Sequence, residues 1–367
     1  MKKFNIRILD KYIFKETLYT FLFGVCAFAA VFISSGTLFR IAQYITEYGA
    51  SFTSVMKIFV FSLPGVVIWT FPMSMLLASL LSFGRLSASS EINAMKSCGI
   101  SFLRIATPAL VFGFLISIFS IWFNEFIVPW SNVAYSNVLH YEIMKNTAPK
   151  SQDHIIIKDI HGGNISRLIY ARRFDGATQQ MQGVTLEVFQ NGSVSHVENA
   201  EYAEWKGDNW LMHNGIVYDI NSEDRPSHTV HFKTQLLPVN ESPTKIIRDQ
   251  KKPEEMTIRE LKETIKLLGD RFINAKKFEA EMHQRFTVPM ASFIFTLVGL
   301  PLALQPNRNS SSMGFAISLI IIFIYYALMT LGNALATGGA VVAWLAVWMP
   351  NIIGAIAGAY LMWRATK

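Results

Sequence analysis

The stretch "GRLSASSEINAMKSCGIS", residues 84–101, joins two runs, 58–84 and 105–124, that contain no Asp, Glu, Lys or Arg. It is too polar for the hydrocarbon core of a bilayer and too regular for an open loop. On a helical wheel Ala88, Ile92, Met95 and Gly99 share one stripe, with Ser89, Asn93, Lys96 and Ser97 opposite. Glu91 falls at the border of the apolar stripe, beside Met95 and Cys98. A short amphipathic helix with an acid at its edge, set between two apolar runs, reads as a surface connection between membrane spans.

Working outward, charge-free runs recur at 17–39, 286–307 and 309–363, the last interrupted by "GNALATGGA" at 332–340. A span needs about 20 apolar residues, so the chain reads as six transmembrane helices, two of them in the final run. Composition agrees. Of 367 residues, 51% are hydrophobic and 16% charged, and the mean hydropathy is +0.30; a soluble domain is about 25% charged. The first charge-free run, 23 residues long with no A-x-A-like site after it, exceeds the roughly 7–15 residues of a signal-peptide core and reads as a span.

Lys and Arg in short flanks set orientation. Lys2, Lys3, Arg7, Lys11, Lys15, Arg85, Lys96, Arg104, Arg308, Arg364 and Lys367 all fall on one side of a six-span chain, the cytoplasm. Residues 140–283 fall on the other side and hold 19 Lys and Arg against 21 Asp and Glu, a net of −2, so the rest of the chain carries +9. The basic pI of 9.3 is thus a topological signal, and no nucleic acid is expected as a partner. Cys26 lies in the first span and Cys98 in the cytoplasmic connection, so no disulfide is expected.

From His154 onward the periodicity is two. "HIIIKDI", "SRLIYARRF", "GVTLEVFQNGSVSHV", "AEYAEWKGDNWLMHNGIVYDI" and "SHTVHFKTQLLPV" alternate apolar and polar residues, with turns at Asn191-Gly192 and 207–209. This predicts an antiparallel all-β domain, a sandwich or jelly roll. "MTIRELKETIKLLG" then returns to helix, with Thr257 as N-cap and Glu260 at the capping-box position; a second helical stretch runs from Asp270 into the fourth span. The expected organisation is 1–139, spans one to three with the 84–101 connection; 140–255, the extracytoplasmic β domain; 256–283, a helical linker; and 284–367, spans four to six.

Catalytic motifs are missing. There is no G-x-x-x-x-G-K-[ST] loop, no G-x-S-x-G and no H-E-x-x-H. All eight histidines lie between His140 and His283, but His228 and His231 are three apart, on opposite faces of a strand, so no metal or other cofactor is expected. Glu125, in "NEFIVPW", is a solvated interfacial acid or a helix-end partner. Pro64, Pro72, Pro289 and Pro301 mark kinks, for packing or for hinge motion.

"LDKYIFKETL" at 9–18, the 84–101 stretch, "NEFIVP" at 124–129, "EMHQRFTVPMASFIFTLVGLPLAL" at 281–304 and "AVWMPNIIGA" at 346–355 together resemble the lipopolysaccharide-export permease family (LptF/LptG, also called YjgP/YjgQ). The resemblance runs nearly end to end and leaves open which of the two paralogues is meant. It implies an inner-membrane half-transporter without its own ATPase, pairing with a second permease of the family, a paralogue or a second copy. It implies a dimeric cytoplasmic ABC ATPase as motor, lipopolysaccharide as cargo, and a bridge of similar β-jelly rolls across the periplasm. It makes 84–101 a coupling helix, with Arg85, Ala88, Glu91, Ile92, Met95 and Gly99 facing the ATPase, and Arg40 a contact for a lipid phosphate. Arg308, in "QPNRNSSSMG", is either a topology determinant or an ATPase contact.

Rival readings exist. An interfacial helix on lipid would carry a Lys/Arg-rich polar face and bulky anchors, whereas this one has Ser and Asn opposite a stripe of small residues. A lipoprotein-release type permease would place its large domain after the first span. A membrane-bound lipid-modifying enzyme has only Glu125, His140 and His283 as acid–base residues. A tether recruiting a partner by strand addition is compatible with transport.

Overall fold

The structure, a computed structural model, describes residues 8–144, 151–161, 164–190, 193–220, 226–239, 241–243, 246, 251–269, 275–304 and 311–366. The Asn191-Gly192 turn, Arg308, Asp270, Lys2, Lys3, Arg7 and Lys367 lie outside the described residues. The chain divides into two compact units, Met1–Ile143 with Pro253–Lys367, and Met144–Lys252.

In the first unit α1 (Ile8–Phe32) passes through a π-helical turn, Ile33–Thr37, into α2 (Leu38–Tyr48). The long helix α3 (Phe52–Ala88) starts at Ser51, whose hydroxyl accepts the Ser54 N–H, and is followed by α4 (Glu91–Ser97) and α5 (Phe102–Asn137). After the second unit come α6 (Ile258–Gly269), α7 (Lys276–Leu302), α8 (Ser311–Gly338) and α9 (Ala343–Thr366). Among the described residues six segments are long and apolar enough to cross a membrane, three before the strands and three after. Of the apolar stretch of α3, 78% is buried, and 72% of that of α7, against 17% for α1. The bundle is therefore built on α3 and α7, and α1 is its most loosely packed span.

The prolines show how that centre is held. Pro289 has no N–H, so it leaves the Arg285 carbonyl without its intrahelical partner; the Asn124 side-chain amide of α5 donates to that carbonyl at 3.4 Å. Pro350 frees the Ala346 carbonyl in the same way, and Gly332 of α8 lies directly against it. A Cβ at Gly332 would stand 2.2 Å from that oxygen, so only glycine lets the two helices approach this closely. Asn351 links three spans. It accepts the Tyr325 hydroxyl at 2.8 Å and donates to the Thr287 carbonyl at 2.8 Å.

The second unit holds a six-stranded antiparallel sheet in the order β1-β2-β3-β4-β5-β6, with β1 Gln152–His161, β2 Asn164–Asp175, β3 Gln180–Gln190, β4 Ser193–Lys206, β5 Asn209–Ile220 and β6 Pro226–Leu237. Each strand pairs with its chain neighbours, an up-and-down meander, and the described pairings contain no Greek-key crossing of the jelly-roll kind expected from the sequence. The reason is local. Connections as short as Gly207-Asp208 bring a strand back only beside its predecessor.

A crease runs across this sheet. On strand after strand the ladder skips one position, at His154, Arg172, Gly183, Glu201, Asn214 and Lys233. His154, Gly183 and Asn214, on alternate strands, have left-handed φ of 58°, 61° and 52°. Buried positions consequently step by three rather than two across the line: Ala171 to Phe174, Met181 to Val184, Ala200 to Ala203, Met212 to Gly215. Both halves of each strand thus send their apolar side chains to one core, closed by Trp210, whose indole N–H donates to the Glu241 carbonyl at 3.0 Å.

Candidate functional site

The 84–101 connection is not one continuous helix. Helix α3 ends at Ala88, Ser90 turns left-handed at φ 61°, α4 is seven residues long, and Gly99 at φ 81° ends it. The Ser89 hydroxyl lies within reach of the Arg85 carbonyl at 3.0 Å and the Glu91 carboxylate at 2.8 Å, two acceptors for its one proton, which offers the backbone an alternative to helix at this point. The expected stripe of Ala88, Ile92, Met95 and Gly99 is therefore split. Ile92 is 1% exposed and packs with Leu86, Phe102 and Ile105 inside the bundle, and Met95 leans on the same core. Burying a side chain of that size stabilises by about 1.5–3 kcal/mol, which outweighs presenting it outward. The outward surface is small and polar instead: Ala88, Asn93, Ala94, Ser97 and Gly99.

Glu91 is half-buried and accepts two hydroxyl hydrogen bonds, from Tyr12 at 2.9 Å and Ser89 at 2.8 Å. Tyr12 belongs to the first turns of α1, and its neighbours make two more ties. Asp10 takes both arms of the Arg104 guanidinium at 2.7 and 2.8 Å, and Glu16 pairs with Arg85. One end of α1 is thereby joined to the end of α3, to α4 and to the start of α5. Asp10, Tyr12 and Glu16 lie in "LDKYIFKETL", but nothing in that stretch says which side chains they meet. Lys96 stands over the Phe102 ring at 5.3 Å.

At the other end of the bundle Glu125 proves to be a helix-end partner. Its carboxylate accepts the Ile258 N–H at 2.9 and 3.2 Å, at the start of α6. The capping box is formed there too: Glu260 accepts the Thr257 N–H at 2.8 Å and Thr257 accepts the Glu260 N–H at 3.3 Å. Arg285, which the sequence marks only by its spacing to Pro289, is 3% exposed. It donates to the carbonyls of Asn124 at 2.9 Å, Glu254 at 3.1 Å and Pro253 at 3.3 Å, with Glu281 at 3.7 Å. Glu125 and His140 are about four helical turns apart, not a joined acid–base pair. Arg40 is exposed on α2 and makes no hydrogen bond or ion pair among the described residues.

Among the described residues of the β unit, Glu198 is a buried carboxylate on the apolar face. Glu198 pairs in register with Leu186 and Val217, is 5% exposed, and accepts from the Gln235 amide at 2.9 Å, with the His196 ring 3.4 Å away. Burial pushes its pKa above the ordinary carboxylate range, against the opposing pull of His196. Asp175 goes the other way, lowered by the Ala177 N–H that it accepts in the β2–β3 turn.

The sequence model of the family described as Lipopolysaccharide export system permease LptF/LptG matches residues 11–364. The chain belongs to this family. No curated protein matches it. As an LptF/LptG permease it is a transporter component and a multi-pass inner-membrane protein, with a six-stranded sheet inserted between its membrane-spanning helices. The match takes in Tyr12 and Glu16 of the α1 ties, the broken connection, Glu125 and Arg285.

Proposed function

We propose that this LptF/LptG permease is one half of an ABC transporter that takes lipopolysaccharide from the inner membrane and passes it to a periplasmic bridge. The motor is a separate cytoplasmic ATPase dimer, and a second permease of the family completes the membrane cavity. The family match over residues 11–364 carries the reading. Both termini and the 84–101 connection are cytoplasmic in this scheme, as the Lys/Arg asymmetry requires. The creased meander serves as a jelly-roll-like trough, its apolar core face continuing into a similar β domain of the bridge. Arg40, exposed and without a protein partner among the described residues, meets a lipid phosphate.

Coupling then differs from the continuous stripe of Ala88, Ile92, Met95 and Gly99 that the sequence suggests. The small outward surface from Ala88 to Ser97 lets the ATPase approach closely, and Glu91, with Arg85 beside it, supplies the charged contact. The ties of Asp10, Tyr12 and Glu16 carry displacement of this connection to α1, the least buried span and so the one least hindered from moving. Reconstitution with the ATPase tests the scheme. A stoichiometric soluble ATPase should co-purify, and lipid release should need ATP. Purification without an ATPase, or chemical modification of lipid by the chain alone, would favour the enzyme reading.

A further inference from the structure

The outer end of the membrane unit holds a cleft of about 620 Å³ between α5 and α6 that the coupling scheme leaves unused. One wall is apolar and belongs to α5: Ile118, Ile121, Trp122 and Phe126. Trp122 is 51% exposed and Phe126 62%, so both present most of their rings to the cleft and the bilayer. The opposite wall is α6, which brings Arg259, Lys262 and Glu263. The cleft is preformed, because α6 is anchored at its start by Glu125 and by the Thr257–Glu260 capping box.

The charges identify the occupant. Glu125 is taken by the Ile258 N–H, and Arg259 pairs with Glu263 at 3.2 Å. Lys262 is left with no hydrogen bond or ion pair among the described residues. From Phe126 to Ile118 the apolar wall descends about 12 Å, most of one acyl layer of a bilayer core about 30 Å thick. A cation at the headgroup level above an aromatic and aliphatic wall matches a lipid with one net negative charge.

We propose that this cleft binds an anionic glycerophospholipid, its phosphodiester on Lys262 with Arg259 beside it and one acyl chain along Phe126, Trp122 and Ile118. The inference needs only the membrane location of the chain and not the coupling scheme.

Native mass spectrometry of the full-length protein, loaded in detergent with phosphatidylglycerol or phosphatidylcholine, tests it. Wild type should retain one phosphatidylglycerol under activation that strips the other lipids. Lys262→Gln should lower that retention roughly fivefold, and Phe126→Ser should lower it without changing the charge. Lys266→Gln, on the same helix but outside the cleft, should leave it unchanged. Equal retention in Lys262→Gln and wild type, equal retention of phosphatidylcholine, or retention of lipopolysaccharide alone would each overturn the proposal.

Discussion

Glu91 holds Tyr12 and, in the proposed coupling, also meets the ATPase, and two substitutions separate these roles. Tyr12→Phe removes a partly exposed hydrogen bond worth about 0.5–1.5 kcal/mol and leaves the carboxylate in place. The ATPase should still co-purify with the Tyr12→Phe protein, while lipid released per ATP falls. Glu91→Lys removes the charged contact itself, for which a partly desolvated interfacial pair predicts a loss of roughly 2–5 kcal/mol. ATPase association should then fail although the protein inserts normally. Growth on a full-length, inserted Glu91→Lys protein as sole copy would sink the coupling assignment. In the β unit, Glu198 makes stability depend on pH. Its folded pKa is raised, so its stabilising contribution is complete below the ordinary carboxylate range and is lost as pH rises through the raised value. Glu198→Gln, which keeps an acceptor for Gln235, should melt higher than wild type at pH 7 and lose that advantage toward pH 4. Thermal unfolding of the full-length protein at the two pH values measures it.

At the scale of elements, close backbone approaches decide which small residues are replaceable. Gly332→Ala drives a Cβ into the Ala346 carbonyl, and overpacking of this kind costs about 1–3 kcal/mol. Gly65→Ala, whose Cβ would meet nothing closer than 3.8 Å, should be neutral or slightly stabilising because alanine is the better helix former. Melting temperatures of the two variants in one detergent make the comparison. Arg285 is a sharper case. Removing a buried cation that holds three carbonyls together costs about 3–5 kcal/mol, and Arg285→Lys should recover little of it because an ammonium lacks the planar fork. Periodicity made α1, α3, α5 and the last three spans readable in advance, and alternation made the strands readable. It could not reveal the crease. His154 and Asn214 in left-handed conformations are set by the neighbouring strands, and a three-residue step within a two-residue pattern looks like noise in any single strand.

For the whole molecule the decisive test is topological. In a background with Cys26 and Cys98 replaced, Glu201→Cys in the sheet should react in intact cells with a thiol reagent that reaches the periplasm but does not cross the inner membrane. Ser97→Cys should be protected until the cells are opened. The reverse pattern would invert the orientation and remove the ATPase from the scheme. Hydrophobicity and the Lys/Arg bias act through the immediate surroundings of each residue, so the sequence by itself determined the six spans, the inserted β domain and the family. Which side chains meet across helices depends on packing between segments far apart in the chain. Only the tertiary structure could therefore turn Ile92 inward, join Tyr12 to Glu91, close Arg285 over three carbonyls and leave Lys262 facing an apolar cleft. Ile92 illustrates the reason: an apolar residue on a short helix lowers its free energy equally against a partner or against its own bundle, and its own bundle is always at hand.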